Sequence, residues 1–390
     1  MDRNVRIVLT GGGSGGHVYP ALAIGEIAGE RFPGAKLLFI GTPRGAESTI
    51  VPMRGIPMAH IPMESFRKDI LHLALFGGVL LRAAARACGI MKKFDPDLVI
   101  SSGGYCSGPV LLAGALLKKG GKRPGIFIHE QNVVAGLANR LGGRLADRIG
   151  TTFEESGRFF PARKVTHVGY PIRAPIASMG RADARRSLGI DEGAFVVFAF
   201  GGSAGSRTIN RAVAGALPPL LAREDLHVIH AVGRYRGSDY DPEKDTASRV
   251  EKLGLGPPAL KRYHRLLYTE EIGKYYAASD VVVSRCGSGT LFELKRAVKA
   301  AVLVPKMDSA GGHQLHNALA FEREGAGIVL KEKPGAGDGV MMVEGSELAA
   351  RILDLKDGPD ALRDMERRLR SSPLPDTRAL VGNILEELLA

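Results

Sequence analysis

Val5-Arg-Ile-Val-Leu-Thr-Gly-Gly-Gly-Ser-Gly-Gly-His17 and Phe195-Val-Val-Phe-Ala-Phe-Gly-Gly-Ser-Ala-Gly-Ser206 are two versions of one device, an apolar run that empties into a glycine loop. Each run reads as a strand, and each loop then opens a helix. Pro20 suits an initial helical turn and Leu22, Ile24, Ile27 and Ala28 lie near one face, while Ile209, Val213 and Leu217 recur at four-residue spacing. Outward from these, short β-branched runs alternate with helix-length segments. The strand candidates are Val5-Thr10, Lys36-Ile40, Leu98-Ser101, Gly125-Ile128 and Arg148-Thr151, then Phe195-Phe200, Leu226-Ala231, Val281-Ser284, Ala301-Val304 and Gly327-Leu330. This is the pattern of βα units on parallel sheets, and it predicts an α/β fold of two Rossmann-like domains facing across a cleft. Gly169 and Pro171 interrupt the pattern in His167-Val-Gly-Tyr-Pro-Ile-Arg173, so the expected domains are 1–169 and 170–372. Periodicity lets the closing helix in 373–390 pack on either half; it is assigned to the first.

A length of 390 residues also calls for more than one core, and 45% hydrophobic with 24% charged residues excludes a disordered chain. Cys88, Cys106 and Cys286 are scattered without a CxxC pair, which argues against a disulfide framework and a cysteine-rich zinc site. The amino terminus shows no signal-peptide pattern, and the longest apolar stretch, Ile70 to Leu81, falls short of the ~20 residues a membrane span requires. The net charge of +12 is uneven: residues 1–169 hold 22 Lys/Arg against 12 Asp/Glu (+10), and 170–390 hold 31 against 29 (+2). Such a basic half suits a nucleic acid, an anionic membrane or a phosphorylated substrate.

Glycine loops between a strand and a helix leave backbone N–H groups at the positive end of the helix dipole, where phosphate binds. Gly11, Gly13 and Gly16 satisfy GxGxxG, but the second strand ends Phe39-Ile40-Gly41-Thr42 without the acidic residue of a dinucleotide site, and no GxxxxGK[ST] exists. Asp95-Pro96-Asp97 has a DxD metal pattern but precedes its strand, so a solvated turn is the better reading and no metal is expected. His17, directly after the first loop, fits either a general base or a hydrogen bond to the loop or a ligand phosphate. Polar runs follow other strands: His129-Glu-Gln-Asn132, suited to sugar hydroxyls, and Ser101-Ser-Gly-Gly-Tyr-Cys-Ser-Gly-Pro109, whose Tyr105 could meet a substrate, either of which could instead be an ordinary βα loop; and Ser284-Arg-Cys-Gly-Ser-Gly-Thr-Leu-Phe-Glu293. Thr290 and Glu293 have capping-box spacing, which favours a cap over ribose hydroxyls as the partner of Glu293. Gln314 and Asn317 complete the polar strand ends.

The ordered set GGGSGGHVYPALAI, GTPRGAESTIVP, SSGGYCSGPV, HEQNVVAGLANR, GYPIR, FGGSAGSRTIN, YYAASDVVVSRCGSGTLFEL and HQLHNA closely resembles one family. It is that of the UDP-N-acetylglucosamine–N-acetylmuramyl-(pentapeptide) pyrophosphoryl-undecaprenol N-acetylglucosaminyltransferases (MurG), which make lipid II from lipid I. The resemblance covers nearly the whole chain and implies the GT-B fold, with the donor UDP-GlcNAc mainly on the second domain and the lipid acceptor on the first. By this resemblance Ser14, Gly15, Gly16 and Asn132 contact the donor sugar and diphosphate, and Arg173 and Ser203 are further donor contacts. Thr269 offers its backbone to the uracil, Gly289 and Thr290 line the same donor site, Glu293 holds the ribose, and Gln314 a sugar hydroxyl. His17 corresponds to a base or acceptor ligand, and Tyr105 and Glu130 lie in acceptor loops. Here GGSAG replaces the family's GGSQG, GYPIR replaces GNPVR, and Thr269 stands where Ile is usual.

The implied reaction is an inverting, metal-free and cofactor-free transfer to the C4 hydroxyl of the N-acetylmuramyl unit of lipid I. Its implied setting is peripheral, on the cytoplasmic face of the plasma (inner) membrane, with other cell-wall synthesis proteins as partners. Segment 66–93 carries Arg67, Lys68, Arg82, Arg86, Lys92 and Lys93 among apolar residues. Read alone it is a core helix with a basic rim; with a lipid-linked acceptor it becomes a surface for an anionic bilayer, with Leu73, Phe76 and Leu80 dipping in. Competing readings are a transferase acting on diacylglycerol, a sugar-nucleotide-binding regulator without activity, and, weakest, a nucleic-acid binder, for which no binding module appears.

Overall fold

The computed structural model describes residues 4–64, 70–119, 124–172, 179–235, 237, 239–335 and 340–390, with segment 70–76 described by its backbone only. The chain divides into two compact units, Met1–Arg173 with Pro375–Ala390, and Ala174–Leu374.

The first unit is built on seven strands, β1 (Arg6–Thr10), β2 (Lys36–Gly41), β3 (Met58–His60), β4 (Leu98–Ser101), β5 (Gly125–Glu130), β6 (Arg148–Thr151) and β7 (Val165–His167). Their order is β3-β2-β1-β4-β5-β6-β7 and every pairing is parallel. Both faces are covered, which is why the strands read as continuous apolar runs rather than alternating ones. Val8, Val99, Ile126 and Ile128 pack on Ala83, Ala87, Val110 and Leu111 from helices Ile70–Phe94 and Ser107–Lys119. On the other face Ile7, Leu9, Ile100 and Phe127 join Leu22 and Ile24 of helix Gly15–Arg31 and Val381, Ile384 and Leu385 of helix Thr377–Leu389. Ion pairs from Arg31 to Glu386 (2.7 Å) and from Arg148 to Glu387 rim that closing helix.

The second unit repeats the plan with β8 (Phe195–Phe200), β9 (Leu226–Ala231), β10 (Tyr263–Leu266), β11 (Val281–Ser284), β12 (Ala300–Leu303) and β13 (Gly327–Val329) in the order β10-β9-β8-β11-β12-β13, again all parallel. Its first helix, Arg181–Ser187, is tied to the sheet by Arg185, which is fully buried. Arg185 donates to the carbonyls of Ala278 (3.0 Å) and Ala194 (2.8 Å) and pairs with Asp280 (2.7 Å). Three edge strands of these two parallel sheets, β3, β7 and β10, are absent from the sequence reading, as is a short antiparallel pair, Lys333–Pro334 with Met341–Met342. The three edge strands are only three or four residues long and carry His60, His167, His264 and Arg265, so neither length nor apolar content marks them.

In each sheet the chain reverses its direction of winding beside the strand that feeds the glycine loop, between β1 and β4 and between β8 and β11. In open α/β sheets this is where ligands sit, beyond the carboxyl ends of the strands.

Candidate functional site

In the first unit the loop after β1 is locked from both sides. On the β4 side Gly12 N–H donates to the Gly103 carbonyl (3.3 Å), and a Cβ on Gly104 would lie 2.1 Å from the Gly12 carbonyl oxygen. On the β2 side the carboxylate of Glu47, fully buried, accepts from Gly13 N–H (2.9 Å), Thr42 N–H (3.1 Å) and the Thr42 hydroxyl (2.7 Å). Gly12 and Gly13 are therefore occupied internally. The groups left for a ligand are those of the first turn of helix Gly15–Arg31, whose N-cap Ser14 makes no side-chain cap bond. Ser14, Gly15 and Gly16 thus present N–H groups at a helix N-terminus, the arrangement that binds anions.

His17 follows, half-buried, with Nδ1 2.9 Å from the Ser102 carbonyl and 3.2 Å from Oε1 of Gln131. A carbonyl oxygen can only accept, so Nδ1 carries the proton and Nε2 bears the lone pair. This is the tautomer of an imidazole able to take a proton at Nε2.

In the second unit the loop after β8 leads to helix Arg207–Leu221, whose N-cap Ser206 accepts from Ile209 N–H, so this helix is self-capped. Ser203 is exposed at the loop's tip. The loop is closed on the β9 side, where a Cβ on Gly205 would meet the Val232 carbonyl at 2.1 Å and one on Gly233 the Gly205 nitrogen at 2.1 Å. The open helix end lies after β11. Helix Ser288–Ala297 starts from Gly287, which has no capping side chain, leaving the first-turn N–H groups of Gly289 and Thr290 without intrahelical acceptors. Glu293 sits one turn further, where Tyr276 donates to its Oε2 (2.9 Å), and burial pushes its carboxyl upward. Gln314 uses its Oε1 to accept from Lys306 N–H (3.0 Å) and Cys286 N–H (3.4 Å), which joins the loops after β11 and β12 and leaves its NH2 to donate. The Thr269 hydroxyl accepts from Glu271 N–H (3.0 Å) and shapes the turn after β10.

The profile of the glycosyltransferase family 28 N-terminal domain matches residues 7–151, and that of the family 28 C-terminal domain matches 196–377. A UDP-N-acetylglucosamine–N-acetylmuramyl-(pentapeptide) pyrophosphoryl-undecaprenol N-acetylglucosamine transferase of Desulforudis audaxviator is 34% identical over 98% of this chain and 98% of its own. The protein of the same name from Clostridioides difficile is 35% identical over 84% of this chain and 78% of its own. The chain belongs to this transferase family. Among solved structures, Acinetobacter baumannii MurG aligns at TM-score 0.75 over 98% of this chain and 99% of its own, with 24% identity. The calicheamicin glycosyltransferase CalG4 aligns at TM-score 0.65 over 100% and 99%, with 15% identity. These likenesses show the shared fold, the GT-B glycosyltransferase architecture of two Rossmann-like domains.

Within this member of the transferase family several of the expected site residues have internal partners. Glu130 is fully buried and its carboxylate accepts from Asn132 N–H (2.9 Å), Gly136 N–H (3.1 Å) and Asn139 Nδ2 (2.9 Å), so in this structure its side chain folds the loop after β5. Tyr105 is half-buried beneath the first glycine loop, its hydroxyl 3.1 Å from that of Thr42 and its ring where a Cβ on Gly13 would fall, so it supports the loop. The capping-box reading of Thr290 and Glu293 fails because the helix starts at Ser288 and both lie inside it. Asp97 of the DxD run accepts from Arg6 N–H (2.9 Å), and Asp95 lies 3.4 Å from the Arg6 guanidinium, which closes the amino-terminal edge of the sheet. Arg173 lies outside the described residues.

The transferase also holds functional supports that the sequence reading missed. Glu47, Ser102 and Gln131 fix the first loop and His17. In the second unit Glu332 accepts from the Thr208 hydroxyl (2.6 Å) and Met307 N–H (3.1 Å) and pairs with Arg285 (2.7 Å), bringing together the segments that follow β8, β11 and β12. The only sequence signal for Glu47 and Glu332 is a lone acid within a glycine- or lysine-rich stretch, which reads as solvated.

Proposed function

We propose that the protein transfers N-acetylglucosamine from UDP-GlcNAc to the C4 hydroxyl of the N-acetylmuramyl unit of lipid I, with inversion, giving lipid II. The observation that carries this reading is the kinship along the whole chain with transferases of that name, joined to an imidazole whose Nε2 lone pair is left for an incoming hydroxyl. The hydroxyl proton passes to Nε2 of His17 as the oxygen attacks the anomeric carbon, and the C1–O bond to UDP breaks on the opposite face. The departing diphosphate is negative, and a helix N-terminus such as Ser288–Thr290 is the kind of group suited to stabilise it, with Arg173 and Ser203 as further donor contacts; Ser14–Gly16 offers a helix N-terminus of the same kind in the first unit. Glu293 retains Oε1 for the ribose hydroxyls, Thr269 stands at the uracil and Gln314 and Asn132 at the sugar. The first unit is the acceptor domain and the second the donor domain.

Transfer from UDP-GlcNAc and from UDP-galactose to a short-chain lipid I analogue tests donor, acceptor and activity together. UDP release and product formation are expected only with UDP-GlcNAc plus the lipid I analogue; transfer to diacylglycerol instead, or UDP-GlcNAc binding without transfer, would select one of the competing readings.

The setting proposed is an anionic membrane surface, with other cell-wall synthesis proteins as further partners. Among the described residues no helix is long and apolar enough to cross a membrane. Helix Ile70–Phe94 and its neighbours Ser107–Lys119 and Leu137–Gly142 instead expose Leu81 (66%), Leu116 (52%) and Leu137 (64%), and Arg82, Arg86, Lys118, Lys119, Arg140 and Arg144 on these helices and the turn that follows are exposed too. Exposed apolar side chains on a region rich in exposed cations suit the headgroup boundary of an anionic bilayer. Leu73, Phe76, Arg67 and Lys68 lie outside the described side chains. Leu81→Glu combined with Leu137→Glu is expected to weaken co-sedimentation with anionic vesicles by about tenfold or more. Undiminished binding would remove the membrane role from this face.

A further inference from the structure

His17 is one end of a hydrogen-bond chain whose every polarity is fixed. At the other end His129, fully buried, has Nε2 2.9 Å from the Gly169 carbonyl, which can only accept. Nε2 of His129 is therefore protonated and its Nδ1 is an acceptor. Gln131, 1% exposed, turns its amide nitrogen to that Nδ1 (3.2 Å) and to the His129 carbonyl (2.8 Å), so its Oε1 must point the other way, to Nδ1 of His17. The amide cannot flip without setting its oxygen against a carbonyl and a lone pair.

We infer that Gln131, oriented by His129, is a positioning residue that fixes the ring plane of His17 and, beside the Ser102 carbonyl, is the second acceptor of its Nδ1–H, leaving the lone pair on Nε2. The inference deepens the reading of His17 as the base and rests on it for its catalytic meaning. When the acceptor hydroxyl loses its proton to Nε2, the imidazolium keeps its Nδ1–H on Ser102 O and Gln131 Oε1. The positive charge formed is thus met by two dipoles already in place, while the matching negative charge leaves with UDP and the proton is later released to water.

The titratable groups on the surrounding elements do not disturb this arrangement. Burial holds His129 down at about 4, so it is neutral at working pH. Burial pushes the Cys106 thiol up to about 12 and the Tyr105 phenol upward, so both are neutral as well. The carboxylate of Glu47 is turned to Gly13 and Thr42, and that of Glu130 to Asn132, Gly136 and Asn139.

The test is 15N NMR of the imidazole nitrogens in the full-length enzyme, with His17 assigned from the signals lost in His17→Ala. Wild type is expected to show a protonated Nδ1 and an unprotonated Nε2 at His17. Gln131→Met removes one of the two acceptors of the Nδ1–H; it is expected to shift the His17 Nδ1 resonance while the Ser102 carbonyl keeps the proton there, and to lower kcat roughly 10- to 100-fold, with KM for UDP-GlcNAc within about twofold. A wild-type His17 protonated on Nε2, a reading that needs no variant to fold, would overturn the inference. So would Gln131→Met with an unchanged Nδ1 resonance and kcat. If the Nδ1 resonance shifts in Gln131→Met while His17→Ala keeps full kcat, the positioning stands and it is the base assignment that falls.

Discussion

His17→Ala lowers kcat by about 10²–10⁴-fold at saturating acceptor, the range that a positioned general base contributes. The loss is in the chemical step because the first-turn N–H groups of Ser14, Gly15 and Gly16 belong to the backbone and survive the substitution. Stability changes little, since His17 is half-buried and water can satisfy the Ser102 carbonyl and the Gln131 amide that it leaves. The measurement is kcat with saturating lipid I analogue beside a thermal melt. An unchanged kcat excludes His17 as the base and leaves it the orienting role that its position also fits.

Glu332→Ala has the larger effect on the fold. The Glu332 side chain is 2% exposed and its partner Arg285 17% exposed, so deletion strands a guanidinium where little water reaches it. Breaking a pair of this kind costs about 3–5 kcal/mol, and here Met307 N–H loses its acceptor too, while the Thr208 hydroxyl keeps only the Met341 carbonyl (3.0 Å). For a unit of this size that is on the order of 10 °C in the melting transition of the second unit. Affinity for UDP falls with it, because the loops after β8, β11 and β12 lose their common tie. Glu332→Gln, which keeps an acceptor and loses the charge, should fall between. Calorimetry with UDP titration is the check, and a second-unit transition that does not move would show that the pair contributes nothing net.

What the sequence disclosed and what it concealed divide along the distance between interacting residues. A run such as Phe195–Phe200 emptying into Gly201 carries its own signal, since β-branched and aromatic content and a glycine break are local. The strand-end positions of Ser14–Gly16, Gly289 and Thr290 follow from that signal alone. Supports such as Glu47 and Gln131 do not, because their meaning comes from partners 34 and 114 residues away. The HEQN run misled in an instructive way. Four polar residues at a strand end looked like a ligand surface, but β5 continues to Glu130, and pairing with β6 takes His129 and Glu130 into the interior. Their hydrogen bonds are internal, and only Asn132 reaches partial exposure. Arg185 is a similar case: an arginine in the run Arg-Ala-Asp-Ala-Arg-Arg reads as solvated, and only the sheet around Asp280 gives it a buried role.

The glycine contacts at the two loops carry a consequence for how such a sequence can drift. A side chain at Gly104 meets the carbonyl of residue 12, one at Gly205 the carbonyl of residue 232, and one at Gly233 the nitrogen of residue 205. In each case the obstacle is main chain, which is the same whatever amino acid stands there. A second-site change at the partner therefore cannot relieve the first. Most buried positions can wander in pairs, a larger residue being admitted when its neighbour shrinks. Gly104, Gly205 and Gly233 have no such route, and epistasis offers them no escape.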